Sequence, residues 1–276
     1  MGSSSAARSF PDHPSHDQRF RLDGRTAFVT GAAGHLGRAM SIALATAGAH
    51  VILNGRTASK LEAFSAELAA AGLKSSMAAF DIMDREAASG FLGGLDRLDV
   101  LINNAITGLP TKDDTSSGKA FRIALESGVA VAYENTVAAM SGLEAAVAAT
   151  GQASVIHITS IYAHVSPSFS VYGDSGLNSP PQYSAAKGGL LQLTRYMACE
   201  LAPRRIRVNS LSPGIFPWDQ VPRDYPDFIE RVCARTPMGR TGRADEIGGP
   251  AVFLASDASS FMTGADLRVD GGWVAW

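Results

Sequence analysis

Cysteine is nearly absent from this chain: Cys199 and Cys233 are the only two in 276 residues, and they lie far apart in sequence. A disulfide framework is therefore excluded, and the two read as free thiols in a reducing cytoplasm. No apolar run approaches the roughly 18 residues that cross a bilayer, so no membrane partner is expected. There is no basic block and the net charge is −2, which argues against nucleic acid. Metal ligands are equally sparse. His13 and His16 have a spacing that can bind metal, but no cysteine joins them, and no metal is expected.

What is present is an ordinary globular composition, 46% hydrophobic and 18% charged, in a chain long enough to bury a substantial core. The first twenty residues, MGSSSAARSFPDHPSHDQRF, have no apolar period. They read as a flexible tail (1–20) before a single domain (21–276). From Arg25 onward, short β-branched or apolar runs alternate with helical stretches. The strand candidates are TAFVT, HVILN, KSSMAAF, DVLINN, ASVIHIT, IRVNSLS and ADLRVD. Helices are expected over Leu36–Ala47, Ser59–Ala71, Phe121–Ala149, Tyr183–Leu201 and Ala244–Leu254. Such alternation predicts an α/β fold: a doubly wound parallel sheet of about seven strands, Rossmann-type, with helices on both faces.

Two local patterns carry chemistry. The first strand runs into TGAAGHLG, Thr30 to Gly37, and then into an amphipathic helix. Glycines at such a turn let backbone approach a pyrophosphate, while the helix start supplies free N–H donors. In QYSAAKGG, Tyr183 and Lys187 stand one helical turn apart and share a face. A cation beside a phenol favours its ionised form, which suits proton exchange with a substrate hydroxyl.

TGAAGHLG, INNA (102–105), ITS (158–160), YSAAK (183–187), RVNSLSPG (207–214) and VDGG (269–272) follow one another in an order that resembles the short-chain dehydrogenase/reductase family. The likeness runs from about Leu22 to the C-terminus. It implies a nicotinamide cofactor, hydride transfer between it and a carbonyl or alcohol, and a homotetramer. Carried over residue by residue, it implies Ser160, Tyr183 and Lys187 as catalytic: Ser160 holds the substrate oxygen and Tyr183 gives or takes its proton. Lys187 would grip the ribose and lower the tyrosine pKa. It further implies cofactor contacts from Gly31, Gly34, His35, Leu36 and Gly37 in the turn, Asp81 and Ile82 after strand three, Asn103 and Ala105 after strand four, Tyr183 and Lys187 themselves, and Pro213 and Gly214 after strand six.

The sequence departs from the family at several points. His35 replaces a glycine of the turn and can itself touch the phosphates; Ile106 replaces another glycine. Gly128 falls where the family carries a catalytic asparagine, and Asn135 follows two turns later, so that position stays open between them. The stretch between Ser160 and Tyr183 is longer than usual and carries Tyr162, His164, Phe169, Tyr172, Asp174 and Asn178. A long structureless loop beside a site is usually either functional or disordered. Its polar and aromatic content suits a sugar, polyol or sugar acid, with Ser160, Tyr162, Tyr183 and Phe216 as substrate residues. Strand two ends in HVILNGRT: Gly55 stands where NAD-specific sites place a carboxylate, and Arg56 follows. A guanidinium offers charge and a planar donor fork to a 2′-phosphate, so NADP(H) is favoured over NAD(H). The competing expectation is a relative that binds cofactor without turnover.

Overall fold

The computed structural model describes residues 16–106 and 118–276. Seven strands form one sheet: β1 (Thr26–Val29), β2 (His50–Gly55), β3 (Ser75–Ala79), β4 (Val100–Asn103), β5 (Ala153–Ile158), β6 (Ile206–Pro213) and β7 (Asp266–Val269). Every pairing is parallel, in the order β3-β2-β1-β4-β5-β6-β7. All seven coincide with strand candidates; β1, β2, β4 and β5, covered on both faces, read as near-continuous apolar runs, whereas the edge strands β3 and β7 are only partly buried.

The helices are α1 (His16–Arg19), α2 (His35–Thr46), α3 (Ala58–Ala70), α4 (Arg85–Gly93), α5 (Gly118–Leu125), α6 (Val131–Ala138), α7 (Met140–Thr150), α8 (Pro181–Leu201), α9 (Val221–Asp224), α10 (Pro226–Arg235) and α11 (Gly248–Ala255). Alternation along the strands divides them between two faces. Ala27 and Val29 pack with Met40 and Leu44 of α2, Phe64 of α3 and Leu254 of α11. Phe28, between them, packs on the other face with Leu92 of α4, Leu143 of α7 and Met197 of α8. A third, smaller core lies under the stretch after Ser160, where Tyr162, Val171 and Tyr172 meet Phe228, Val232 and Trp273.

The expected tail divides at residue 16. Residues 1–15 lie outside the described residues, whereas α1 follows them and the Phe20 ring stands 6.2 Å from that of Phe253. The single helix expected over Phe121–Ala149 is instead three helices, with a π-helical turn at Glu126–Ala130 between α5 and α6. The turn sits where Gly128 meets α8: a Cβ on Gly128 would stand 3.1 Å from that of Ala186. Glycine and a widened turn together allow this close approach. Among the described residues, no helix is long and apolar enough to cross a membrane.

Candidate active site

An all-parallel sheet wound on both faces opens to ligands at its carboxyl edge, where strand order reverses. Here the reversal lies between β1 and β4, and Thr30 joins the two strand ends. Its Oγ1 accepts from the main-chain N–H of Asn104 and of Ala105, both at 2.8 Å. The Asn104 amide in turn donates to the Thr30 carbonyl at 2.8 Å. A cavity of about 470 Å³ opens over this joint and runs from the glycine turn to Tyr183 and Lys187.

Gly31, Gly34, His35, Leu36 and Gly37 line one end. Gly31 has φ +64°, in the left-handed region that favours glycine. A Cβ on Gly37 would stand 2.2 Å from the Gly31 carbonyl oxygen, so the start of α2 lies directly on the turn. This is a cradle that side chains would fill, with the N–H donors of a twelve-residue helix at its floor. The residues present fit a dinucleotide pyrophosphate.

Along one wall stand Arg56, Asp81 and Ile82, with Asn54 and Gly55 beside them. Arg56 Nη1 lies 3.8 Å from Asp81 Oδ2, and the Arg56 side chain is 68% exposed. This loose pair leaves the guanidinium at the rim. Ala105 and Ile106 also line the cavity, with Asn104. Asn103 does not. Its amide donates to the Ala132 carbonyl at 3.3 Å, and its oxygen accepts from Asn135 Nδ2 at 3.0 Å. Asn103 ends β4 with its side chain facing α6, and its neighbour Asn104 faces the cavity.

At the other end, Ser160 follows β5, Tyr183 and Lys187 stand on α8, and Pro213, Gly214 and Phe216 follow β6, all lining the same cavity. Gly214 allows its segment to pass against β7's end: a Cβ there would stand 2.6 Å from Asp270 Cα. Ser160 caps a short 3₁₀ turn, its Oγ accepting from the Tyr162 N–H at 3.1 Å. Lys187 Nζ donates to the Ile158 carbonyl at 2.6 Å and lies 5.7 Å from the Tyr183 ring centroid.

Burial governs the ionisation here. It holds the Tyr183 phenol above its ordinary range, with a hydrogen bond to Ser160 pulling the other way. The lowered phenol expected from the neighbouring lysine is therefore not what this state holds. Burial also pushes Lys187 down to about 8. Gly128 and Asn135 both line a void of about 10 Å³ that reaches Lys187, but the Asn135 amide is already committed to Asn103.

Tyr162 lies outside this cavity. It is buried beneath the long stretch before Tyr183, its hydroxyl 3.0 Å from that of Tyr172, and it lines a separate cleft with His164, Phe169 and Asn178. The stretch itself is not structureless; it contains 3₁₀ turns at Ile161–Ala163 and Phe169–Val171. Asn104, Thr159 and Trp218 also line the main cavity, beyond the residues that the sequence motifs single out. Asn104 had a signal, since either asparagine of INNA can face the ligand. Trp218 had none.

Residues 31–274 match the family described as Enoyl-(Acyl carrier protein) reductase. Gluconate 5-dehydrogenase of Gluconobacter oxydans is 34% identical, covering 94% of this chain and 98% of its own. Galactitol 2-dehydrogenase (L-tagatose-forming) of Cereibacter sphaeroides is also 34% identical, covering 93% and 98%. Among solved structures, a gluconate 5-dehydrogenase from Burkholderia cenocepacia in complex with NADP and tartrate superposes with a TM-score of 0.81 at 29% identity, over 94% of this chain and 99% of that one.

The buried ammonium sets a stability signature. With Lys187 at about 8 in the folded chain and near 10.5 unfolded, the unfolded state binds more protons between those values. Stability contributed by this group therefore rises with pH across about 8 to 10.5. Urea unfolding of the wild type and of Lys187→Met should show the wild type gaining on the variant over that window, by on the order of 3 kcal/mol. A constant difference between the two proteins would contradict burial of the charge.

Proposed function

Because the chain belongs to the short-chain dehydrogenase/reductase family, we propose that it moves hydride between NADP(H) and a secondary alcohol or ketone of a sugar acid or polyol. The observation that carries the reading is the convergence of Ser160, Tyr183 and Lys187 at one end of a cavity whose other end is a glycine cradle. The turn residues 31–37 would hold the pyrophosphate, with Asp81, Ile82 and Ala105 on the adenosine side. Pro213 and Gly214 would lie beside the nicotinamide, and Lys187 would reach the ribose. When bound, the nicotinamide supplies or accepts the hydride.

The protein's own part is proton transfer and orientation. Ser160 Oγ accepts from a backbone N–H and its hydroxyl is hydrogen-bonded to Tyr183, so on substrate binding its proton would turn from the phenol to the substrate oxygen. Tyr183, kept neutral by burial, is poised as proton donor to a carbonyl. Alcohol oxidation asks the same phenol to lose that proton first. Lys187 provides the cation that favours this loss, and its own lowered pKa lets it share the proton near neutral pH.

The sugar-acid and polyol reading draws on the relatives that act on gluconate and galactitol. It also draws on Phe216 at the cavity and on the polar loop from Ile161 to Gln182. The relatives are named as dehydrogenases and reductases, and nothing in them favours a cofactor-binding protein without turnover. We further take residues 21–276 as one dehydrogenase domain working in the cytoplasm, in keeping with the free thiols. Leu125, Tyr133, Val137 and Tyr196 stand in water on α5, α6 and α8, an apolar set that supports assembly with further copies into a homotetramer.

Tyr183→Phe should lower turnover of an accepted sugar acid or polyol by about 10² to 10⁴, with dinucleotide affinity within a few-fold of wild type. Near-normal turnover in that variant would overturn the assignment of the phenol. Arg56→Ala addresses cofactor choice. Loss of a charge-assisted contact to the 2′-phosphate should weaken NADP(H) by about ten- to a hundredfold and leave NAD(H) unchanged. Titrating both dinucleotides into both proteins decides it; equal losses, or a wild type that prefers NAD(H), would contradict the reading.

A further inference from the structure

His35 opens α2 and Trp218 belongs to the segment between β6 and α9, yet their rings meet, with centroids 4.7 Å apart and planes inclined at 30°. In the sheet, β1, which leads into the glycine turn, is separated from β6 by β4 and β5. A contact between residues that follow β1 and β6 must therefore span the edge of the sheet on which the cavity opens. Both residues line that cavity.

Two features set this contact apart from ordinary packing. The Nε2 atom of His35 is withdrawn from water without a hydrogen-bond partner. A polar atom left in that state is unfavourable, and a ligand that brings an acceptor relieves it. Trp218, by contrast, is 53% exposed, so the indole is not held there by burial in a core. Its segment has no regular structure from Gly214 to Pro217. A large ring thus rests on an unsatisfied imidazole, at the end of the cavity formed by the glycine turn.

The geometry points to His35 and Trp218 as a two-ring clamp on the dinucleotide pyrophosphate. The imidazole Nε2–H donates to a phosphate oxygen, and the indole folds over the same group and slows its escape. The donor to an anionic oxygen strengthens binding, and the indole keeps water from competing for that bond. The two are positioning residues, since neither reaches the proton-transfer end around Tyr183. This inference rests on the dinucleotide reading of the cavity.

The test uses the full chain as wild type, His35→Ala and Trp218→Leu, titrated with NADP⁺ while tryptophan emission is followed, then mixed rapidly with excess competitor to measure release. In the wild type, binding should change the emission, and the part of the change due to Trp218 should vanish in Trp218→Leu. Each variant should release the dinucleotide about tenfold faster. Saturable binding with the same emission change in wild type and Trp218→Leu, and with wild-type release from both variants, would overturn the clamp alone. Absence of saturable binding to the wild type would overturn the dinucleotide reading, and the clamp with it.

Discussion

The hydrogen bond from Lys187 Nζ to the Ile158 carbonyl joins helix α8 to the end of β5, and the geometry at the reactive end depends on it. It is a direct tie between α8 and the strand that Ser160 follows. Tyr183, one turn earlier on the same face, is thereby carried to Ser160. The bond also accounts for a charged side chain in a buried place: the ammonium trades water for a carbonyl. The trade is incomplete, which is why Lys187 is held down to about 8. The neighbouring strand residue adapts to it. His157 is fully buried against Thr194, and burial, followed by the charge of Lys187, pushes its pKa down to about 3. No second positive charge therefore competes at the joint.

The same burial explains why the phenol and the ammonium behave differently from a solvent-exposed pair. A lysine near a tyrosine in water would draw the phenol toward ionisation. Here desolvation acts on both groups and favours the neutral form of each, and for Tyr183 it outweighs the hydrogen bond from Ser160. Tyr172 and Tyr162 extend this low-polarity surrounding: both phenols are buried over the core formed with Phe228 and Trp273, and both are raised by desolvation. The long stretch before Tyr183 thus acts on the site partly as an apolar backing.

Much of this was legible in the chain itself. Apolar runs separated by helical stretches identify the strands, most clearly β1, β2, β4 and β5, which are buried on both faces and leave no polar alternation to confuse the pattern. The glycine turn and the Tyr183–Lys187 spacing are local, and local spacing is what sequence reports. Sequence reports least where tertiary contact decides. Asn103 and Asn104 are chemically identical, and only the register of β4 determines which one faces the cavity. The break between α5 and α6 follows from the approach of Ala186 on a helix some sixty residues later, to which helical periodicity is blind. Tyr162 looks like a substrate contact beside Ser160, but residues near the C-terminus complete a core that covers it.

The account stands on a neutral, buried phenol at Tyr183 whose proton is held until the site is filled. Ultraviolet difference titration of the unliganded wild type against Tyr183→Phe isolates the tyrosinate signal of this one side chain. The predicted result is ionisation above the ordinary tyrosine range. A Tyr183 that ionises well below that range without ligand would contradict it, because the lysine, and not burial, would then control the proton.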